Sequence, residues 1–267
     1  MRYLFAYWSH IKKRISSRHI VLFLDYDGTL TPIVGNPDKA IITPKIKELL
    51  KRLSKSRRCV PAIITGRSLK DIRKKIGLKN IIYAGNHGLQ IDGPKIKFRA
   101  SIGPDYKTIL QTIKRKMNKK LSEIKGVLPE DKGLSLSLHY RLVSRKQIPF
   151  VKTSFYEAAA PYCKSGKIKT KTGKKVLEIR PAVKWDKGKA VMWLLKSLSA
   201  TSDSSFVPIY IGDDSTDEDA FKALKNKGLT VIVGRNTKSY AQYYIRSTRE
   251  TLDFIRWILR ICDNCQS

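Results

Sequence analysis

The stretch Val21-Leu22-Phe23-Leu24-Asp25-Tyr26-Asp27-Gly28-Thr29-Leu30 sets the frame for the whole chain. Four apolar residues run directly into two carboxylates placed two apart. A short unbroken apolar run that stops at a glycine turn is the pattern of a strand buried in a parallel sheet. Side chains alternate along extended backbone, so Asp25 and Asp27 point the same way if the strand continues. Adjacent carboxylates repel, and a bound cation offsets that cost. Gly28 lets the chain turn sharply. Open parallel sheets bind ligands at the carboxyl ends of their strands, which is where this pair falls. Taken alone, an Asp-x-Asp is equally compatible with a strand end solvated by acidic turn residues.

The same rhythm repeats downstream. Thr43-Pro44 predicts an N-cap with proline at the first helical position, followed by Ile46, Leu49, Leu50 and Leu53 at helical spacing. Val60 to Thr65 is a second apolar strand that ends in Thr65-Gly66-Arg67-Ser68, with a helix near 68–76. A third strand, Ile81 to Ala84, ends in Gly85-Asn86-His87-Gly88, and Asp92-Gly93 predicts a hairpin turn after Leu89-Gln90-Ile91. From about 101 to 181 the pattern changes. A basic helix at 105–120 precedes Gly133 to Arg141, which alternates apolar and polar at period two. A helix near 149–160 and a strand at 175–180 complete that segment. After Pro181 a helix begins at Lys187, with Val191, Leu194, Leu195 and Leu198 on one face. Val207 to Ile211 is a strand ending in Gly212-Asp213-Asp214-Ser215-Thr216-Asp217-Glu218, and Leu229 to Val233 is another. Ser247 and Glu250 read as a capping box before the final helix. The expected fold class is α/β: a Rossmann-like parallel-sheet core, residues 1–100 and 182–267, with an inserted α+β cap at 101–181.

At the four strand ends and helix starts the chain resembles the haloacid dehalogenase superfamily of phosphohydrolases. That family's first motif is Asp-x-Asp-Gly-Thr-Leu, matched throughout by residues 25–30. Phosphoryl transfer needs an in-line nucleophile and positive charge on the equatorial oxygens. Asp25 is placed as nucleophile, and Asp27 as the acid that protonates the leaving oxygen and then activates water. Thr65 supplies a hydroxyl, Gly66 a closely approaching backbone, and Lys187 a fixed charge. An oxygen-rich cation site of Asp25, Asp27, Asp213 and Asp214 suits Mg²⁺. Each piece has a plainer reading by itself. Thr65-Gly66-Arg67 can be a turn, Lys187 a surface residue beside the equally basic Lys189, and Ser215 to Glu218 a capping box. No GxxxxGK[ST] loop and no GxGxxG occurs.

Within that superfamily the chain is similar to the trehalose-6-phosphate phosphatase family over residues 20–235. The matching pieces are Thr65-Gly-Arg67, Gly85-Asn-His-Gly88, Glu130-Asp-Lys132 with His139-Tyr-Arg141, Lys175 to Pro181, Lys187-Gly-Lys-Ala190 and Gly212 to Glu218. The resemblance implies sugar binding by Glu130, Lys132 and Glu178. It extends the substrate-binding set to Gly66, Arg67, Asn86, His87 and Arg141. Asn86 stands where many relatives carry Glu, and His87 either touches substrate or orients its loop. The implied reaction is Mg²⁺-dependent hydrolysis of trehalose 6-phosphate through an aspartyl-phosphate, with the cap closing over the disaccharide. The alternatives are a phosphatase of another sugar phosphate, such as sucrose 6-phosphate or a glycosyl phosphoglycerate, or a basic nucleic-acid binder on an inactive scaffold. The family context also brings a trehalose-6-phosphate synthase into view as a partner, which no residue here specifies.

Charge and cysteines bound the rest. The chain carries 54 Lys and Arg against 22 Asp and Glu, a net of +32, and the 101–181 segment holds 19 against 6, a net of +13. A nucleic-acid binder, an acidic substrate and a host with a generally basic proteome each account for such a charge, but it is spread along the chain and rich in Lys, which is more often a solvated surface than a nucleic-acid groove. Cys59, Cys163, Cys262 and Cys265 show no disulfide framework and suit a reducing compartment. Cys262-Asp-Asn-Cys265 has zinc-like spacing but lacks a second ligand pair. The apolar patch from Met1 to Trp8 precedes its basic residues, the wrong order for a signal peptide, and is too short to span a bilayer. It is expected to pack on the core of a soluble, cytoplasmic protein that makes no membrane contact.

Overall fold

The structure is a computed structural model, and it describes residues 1–200 and 205–263. In chain order the elements are β1 (Arg2–Tyr3), α1 (Trp8–Ile15), β2 (His19–Leu24), α2 (Pro44–Leu53), β3 (Cys59–Ile64), α3 (Leu69–Ile76), β4 (Ile82–Gly85), β5 (Gln90–Gly93) and β6 (Ile96–Arg99). There follow α4 (Tyr106–Leu121), β7 (Leu128–Asp131), β8 (Leu136–His139), α5 (Ile148–Lys164), β9 (Ile168–Gly173) and β10 (Val176–Pro181). The chain ends with α6 (Lys187–Ser199), β11 (Phe206–Gly212), α7 (Glu218–Leu224), β12 (Leu229–Val233), β13 (Tyr243–Ile245) and α8 (Thr248–Asp263). Two compact units result. One holds Met1–Arg99 and the chain from Trp185 onward; the other is Ala100–Lys184.

The first unit is built on a nine-stranded sheet in the order β1-β13-β12-β11-β2-β3-β4-β5-β6. All pairings from β1 to β4 are parallel, and β5 and β6 add an antiparallel hairpin at the edge. The unbroken apolar run of β2 has a simple cause: both faces of the strand are covered. Ile20, Leu22 and Leu24 join the cluster that holds α2 and α8 residues such as Leu50 and Ile258, whereas Val21 and Phe23 join Val191 and Leu194 of α6 and Phe221 of α7. Burying one such side chain contributes roughly 1.5–3 kcal/mol, so a polar residue in this run would be strongly disfavoured. Chain order reverses beside β2, with β3 on one side and β11 on the other. That makes the carboxyl ends of β2 and β11 a topological switch point, the crevice where doubly wound sheets hold ligands.

The second unit is a four-stranded antiparallel sheet, β7-β8-β10-β9, backed by α4 and α5. The period-two pattern read from Gly133 to Arg141 is realised in β8. Leu136 and Leu138 are buried with Leu177 and Ile179 of β10, and with Ile113 and Phe155 from the helices.

Several local readings need correction. The hairpin turns at Pro94-Lys95, not Asp92-Gly93, because β5 runs on to pair Gly93 with Ile96, and Lys95 takes φ of 58°. Glu250 does not close a box onto Ser247; its carboxylate accepts from the Arg246 N–H at 2.7 Å and from Tyr3 Oη at 2.8 Å. Ser215 does not cap α7, whose N-cap is Asp217. Strands β1, β7, β9 and β13 give no clear sequence signal. β1 and β13 are two and three residues long, too short to show a period, and β7 and β9 are edge strands in which Lys, Thr, Pro and acidic residues interrupt the apolar alternation. The N-terminal segment packs on the core through Leu4, Ile11 and Ile15. Among the described residues no helix is long and apolar enough to cross a membrane. Cys265 lies outside the described residues, so the CxxC reading ends there.

Candidate active site

Asp25 follows β2 directly, and its backbone N–H donates to Ile211 of β11 at 2.9 Å. The side chain is 7% exposed. Lys187 opens α6, whose start is fixed by the Asp186 side chain accepting from the Lys189 N–H at 2.8 Å. This cap leaves Lys187 in the first turn with its ammonium 2.7 Å from Asp25 Oδ1 and 2.7 Å from Asp217 Oδ1. Lys189, its neighbour in sequence, is exposed.

Asp217 is fully buried and its two oxygens accept four hydrogen bonds. Lys187 and the Tyr210 hydroxyl each donate to Oδ1 at 2.7 Å, and the Asp213 and Asp214 N–H groups each donate to Oδ2 at 3.0 Å. It thereby fixes the turn that carries Asp213. Oxygens of Asp25, Asp213 and Asp217 come within 4.8 Å of one another. Asp27 and Asp214 do not join that group. Asp214 Oδ1 instead accepts from Ser215 Oγ at 2.7 Å. Gly28 is required twice over: its φ is +83°, and a Cβ there would lie 2.2 Å from Asp213 Oδ2.

Three carboxylates around one ammonium leave the cluster net negative. Burial pushes the Asp25 carboxyl well above its usual range; Lys187 pulls it down, and Asp217 and Asp213 push it up again. Lys187 is raised as well. Burial alone would lower it, but the charges of Asp217 and Asp25 outweigh that. A buried, oxygen-only site with excess negative charge fits a hard divalent cation.

Asp27 is bound elsewhere. Arg67 meets it in a two-pronged pair, Nε to Oδ2 at 2.8 Å and Nη2 to Oδ1 at 2.7 Å. The guanidinium is 4% exposed, bonds also to Asp71 Oδ2 and Pro37 O at 2.8 Å, and lies over the Tyr26 ring. So Arg67 neutralises and aims Asp27. Thr65 is buried and its Oγ1 accepts from the Arg67 N–H at 3.2 Å.

The loop after β4 braces this one. Asn86 and His87 both take left-handed backbone, φ 50° and 58°, and their N–H groups donate to Arg67 O at 2.7 Å and Thr65 O at 2.8 Å. Non-glycine residues held so are strained and persist where surrounding contacts over-determine them. The His87 ring covers Gly66, where a Cβ would fall 2.6 Å from Cε1. Gly66→Ala must therefore displace His87 or the Thr65 loop. The expected outcome is a loss of about 1–3 kcal/mol in stability with kcat/KM down ~10- to 100-fold. Thermal melts paired with steady-state kinetics check it, and unchanged kinetics would show that the loop has no part in turnover.

The second unit gathers its own polar cluster. Pairing sets Glu130 opposite Ser137 and Ser137 opposite Glu178, so three strands place these side chains in one row. Lys132 Nζ lies 3.6 Å from Glu178 and 3.7 Å from Glu130; His139 Nε2 lies 2.8 Å from Glu130, and Arg180 Nε donates to Glu178 at 2.7 Å. Arg141 is not in this group; it is exposed and donates to Lys174 O at 2.6 Å. Sequence reasoning identified Glu130, Lys132 and Glu178 but missed Arg180, Ser137, Tyr210 and Asp71. Arg180 was accessible, because it stands two residues past Glu178 on the same strand face. The other partners come from separate elements.

Residues 23–249 match the family model described as trehalose-phosphatase. Trehalose-phosphate phosphatase B of Arabidopsis thaliana is 39% identical over 260 residues, covering 93% of this chain and 68% of that protein. Trehalose 6-phosphate phosphatase RA3 of Zea mays is 35% identical over 257 residues, covering 90% and 69%. The C-terminal domain of C. albicans trehalose-6-phosphate phosphatase superposes with a TM-score of 0.77 over 94% of each chain, at 24% identity.

Proposed function

The chain belongs to the trehalose-phosphatase family, and from that premise we propose how its residues hydrolyse trehalose 6-phosphate. It is a phosphoric monoester hydrolase. The observation that carries the mechanism is the convergence of Asp25, Lys187, Asp213 and Asp217 at the switch point of the sheet. In the first step an Asp25 oxygen attacks phosphorus in line, and the bond from phosphorus to the sugar O6 breaks. Asp27, aimed by Arg67, delivers a proton to the departing alkoxide. In the second step Asp27 takes a proton from water, which attacks phosphorus and releases the Asp25 carboxylate. Lys187 and the backbone around Thr65 and Gly66 supply positive charge and donors for the phosphoryl oxygens.

Asp25 and Asp213 would hold a Mg²⁺ ion, with Asp217 behind them fixing Lys187 and the Asp213 turn. When bound, such a cation neutralises the carboxylates and stabilises charge on the transferring phosphoryl group. The proposed side-chain ligands are Asp25 and Asp213, because the Asp27 carboxylate pairs with Arg67 and Asp214 lies outside the cluster of close carboxylates. We assign the unit Ala100–Lys184 as the substrate-specificity domain. Its row of Glu130, Lys132 and Glu178 offers acceptors and a donor to sugar hydroxyls, and its positive charge draws in the anionic substrate.

The test is phosphate release from a panel of sugar phosphates before and after chelation. Trehalose 6-phosphate should have the highest kcat/KM, above sucrose 6-phosphate. Chelation should lower turnover at least ~100-fold, and added Mg²⁺ should restore it. A better sugar phosphate in the panel would overturn the substrate assignment, and full turnover after exhaustive chelation would overturn the cation's part.

A further inference from the structure

Trp185 stands immediately before Asp186, the residue that caps α6. It is also the first residue of the first unit after the chain returns from Ala100–Lys184. Its ring stacks on Phe98 of β6, centroids 4.5 Å apart and planes 19° from parallel, and Phe98 meets Trp193 of α6 at 4.8 Å. All three rings pack on the cluster that holds Val191 and Leu194. The stack sets the plane of the Trp185 indole, and the indole N–H donates to Gly88 O at 2.8 Å, 97 residues away in sequence.

Gly88 closes the strained loop after β4. Asn86, His87 and Gly88 take φ of 50°, 58° and 87°, three left-handed residues in succession. Such a run does not hold its own shape, and contacts from outside must fix it. On one side the Asn86 and His87 N–H groups donate to Arg67 O and Thr65 O. On the other lies α6: a Cβ on Gly88 would fall 2.3 Å from Ala190 Cβ and 3.3 Å from Trp185 Nε1. The loop therefore sits between Arg67, which aims Asp27, and the first turn of α6, which carries Lys187. Trp185 supplies a side-chain bond to it on the α6 side.

We propose that Trp185 is a positioning residue for the phosphoryl transfer described above, and the proposal rests on that reaction. It acts through other groups. Its N–H holds Gly88, the loop holds Asn86, and the Asn86 N–H seats Arg67, whose guanidinium orients the Asp27 carboxylate. The Asp25–Lys187 pair does not pass through this chain of contacts. Loosening the chain misaligns the acid and spares the nucleophile. The loss then falls on esters whose leaving oxygen needs a proton, not on those that leave as stable anions.

The test is Trp185→Phe, which keeps a ring against Phe98 and an apolar side chain before the cap of α6 but removes the N–H. Two esters without a sugar are compared by kcat/KM, which reports the steps up to loss of the alcohol. Benzyl phosphate leaves as an alkoxide, and 4-nitrophenyl phosphate leaves as a stable phenolate. The first should fall ~10- to 50-fold and the second stay within about threefold. Without any ester present, hydrogen exchange of the amides in 64–68 and 85–89 should quicken about tenfold. Phe98→Leu loosens the same ring from its other face and should give the same split at smaller size. Trp193→Phe, which changes the other indole of the stack, should leave both esters within about twofold. Equal losses on the two esters, or unchanged exchange in both Trp185→Phe and Phe98→Leu, would overturn the proposal. A parent protein that prefers another sugar phosphate overturns the substrate assignment and leaves the role of Trp185 standing. A parent inactive on every ester overturns the hydrolase reading, and the positioning role falls with it.

Discussion

Asp25→Asn is expected to lower phosphate release from trehalose 6-phosphate by roughly four orders of magnitude or more, while leaving the protein folded. Asparagine keeps the shape of the side chain and removes the oxyanion that attacks phosphorus. The folded state has reason to tolerate it. Burial and the neighbouring Asp217 and Asp213 already hold the Asp25 carboxyl well above its usual range, so a neutral group there relieves repulsion. Lys187 keeps Asp217 as a partner at 2.7 Å. In the absence of divalent cation, Tm should therefore stay level or rise slightly. Steady-state kinetics and a thermal melt on the same preparation decide the matter. Residual turnover above about a hundredth of the parent rate would sink Asp25 as nucleophile, and a large fall in Tm would mean that the loss came from unfolding.

Lys187→Met has the opposite profile, costing stability and activity together. Methionine fills similar volume, but it strips the buried Asp25 and Asp217 of the ammonium they share. Removing one partner of a buried ion pair costs about 3–5 kcal/mol, because the remaining charge is left uncompensated. For a unit of this size that is a fall of about 10 °C in Tm. Turnover should drop ~100- to 1000-fold, as when a preorganised donor to a developing charge is lost. Lys189→Met is the control. Lys189 is exposed, and its change should move stability by no more than about 0.5 kcal/mol. Urea titration of both variants separates the two lysines, and equal effects would show that the buried position of Lys187 carries no special weight.

These variants also mark how far residues alone could be read. The apolar run into Asp25 fixed a two-sided buried strand, since only a strand covered on both faces tolerates Val, Leu and Phe in unbroken succession. Lys187 at a helix start and Asp213 at a strand end followed from local periodicity. Local patterns could not choose between Asp214 and Asp217 behind the cation site. Asp217 is selected because β11 turns so that its oxygens receive the Asp213 and Asp214 N–H groups, the Tyr210 hydroxyl and Lys187. Nor could they show that Arg67 is spent on Asp27, since that pair spans two loops joined only through the sheet.

In this chain the sequence by itself determined which residues could do chemistry and at which strand ends they sit. Periodicity reports burial within a few residues, and capping and turn preferences act over the same range. The tertiary structure decided which of those residues meet. Lys187 reaches Asp25 across 162 residues, and Glu130 joins the row of Glu178 through β8 from an edge strand, β7, whose own alternation is weak. Such meetings depend on strand order and register, which are set by the packing of the whole core and are written in no single segment.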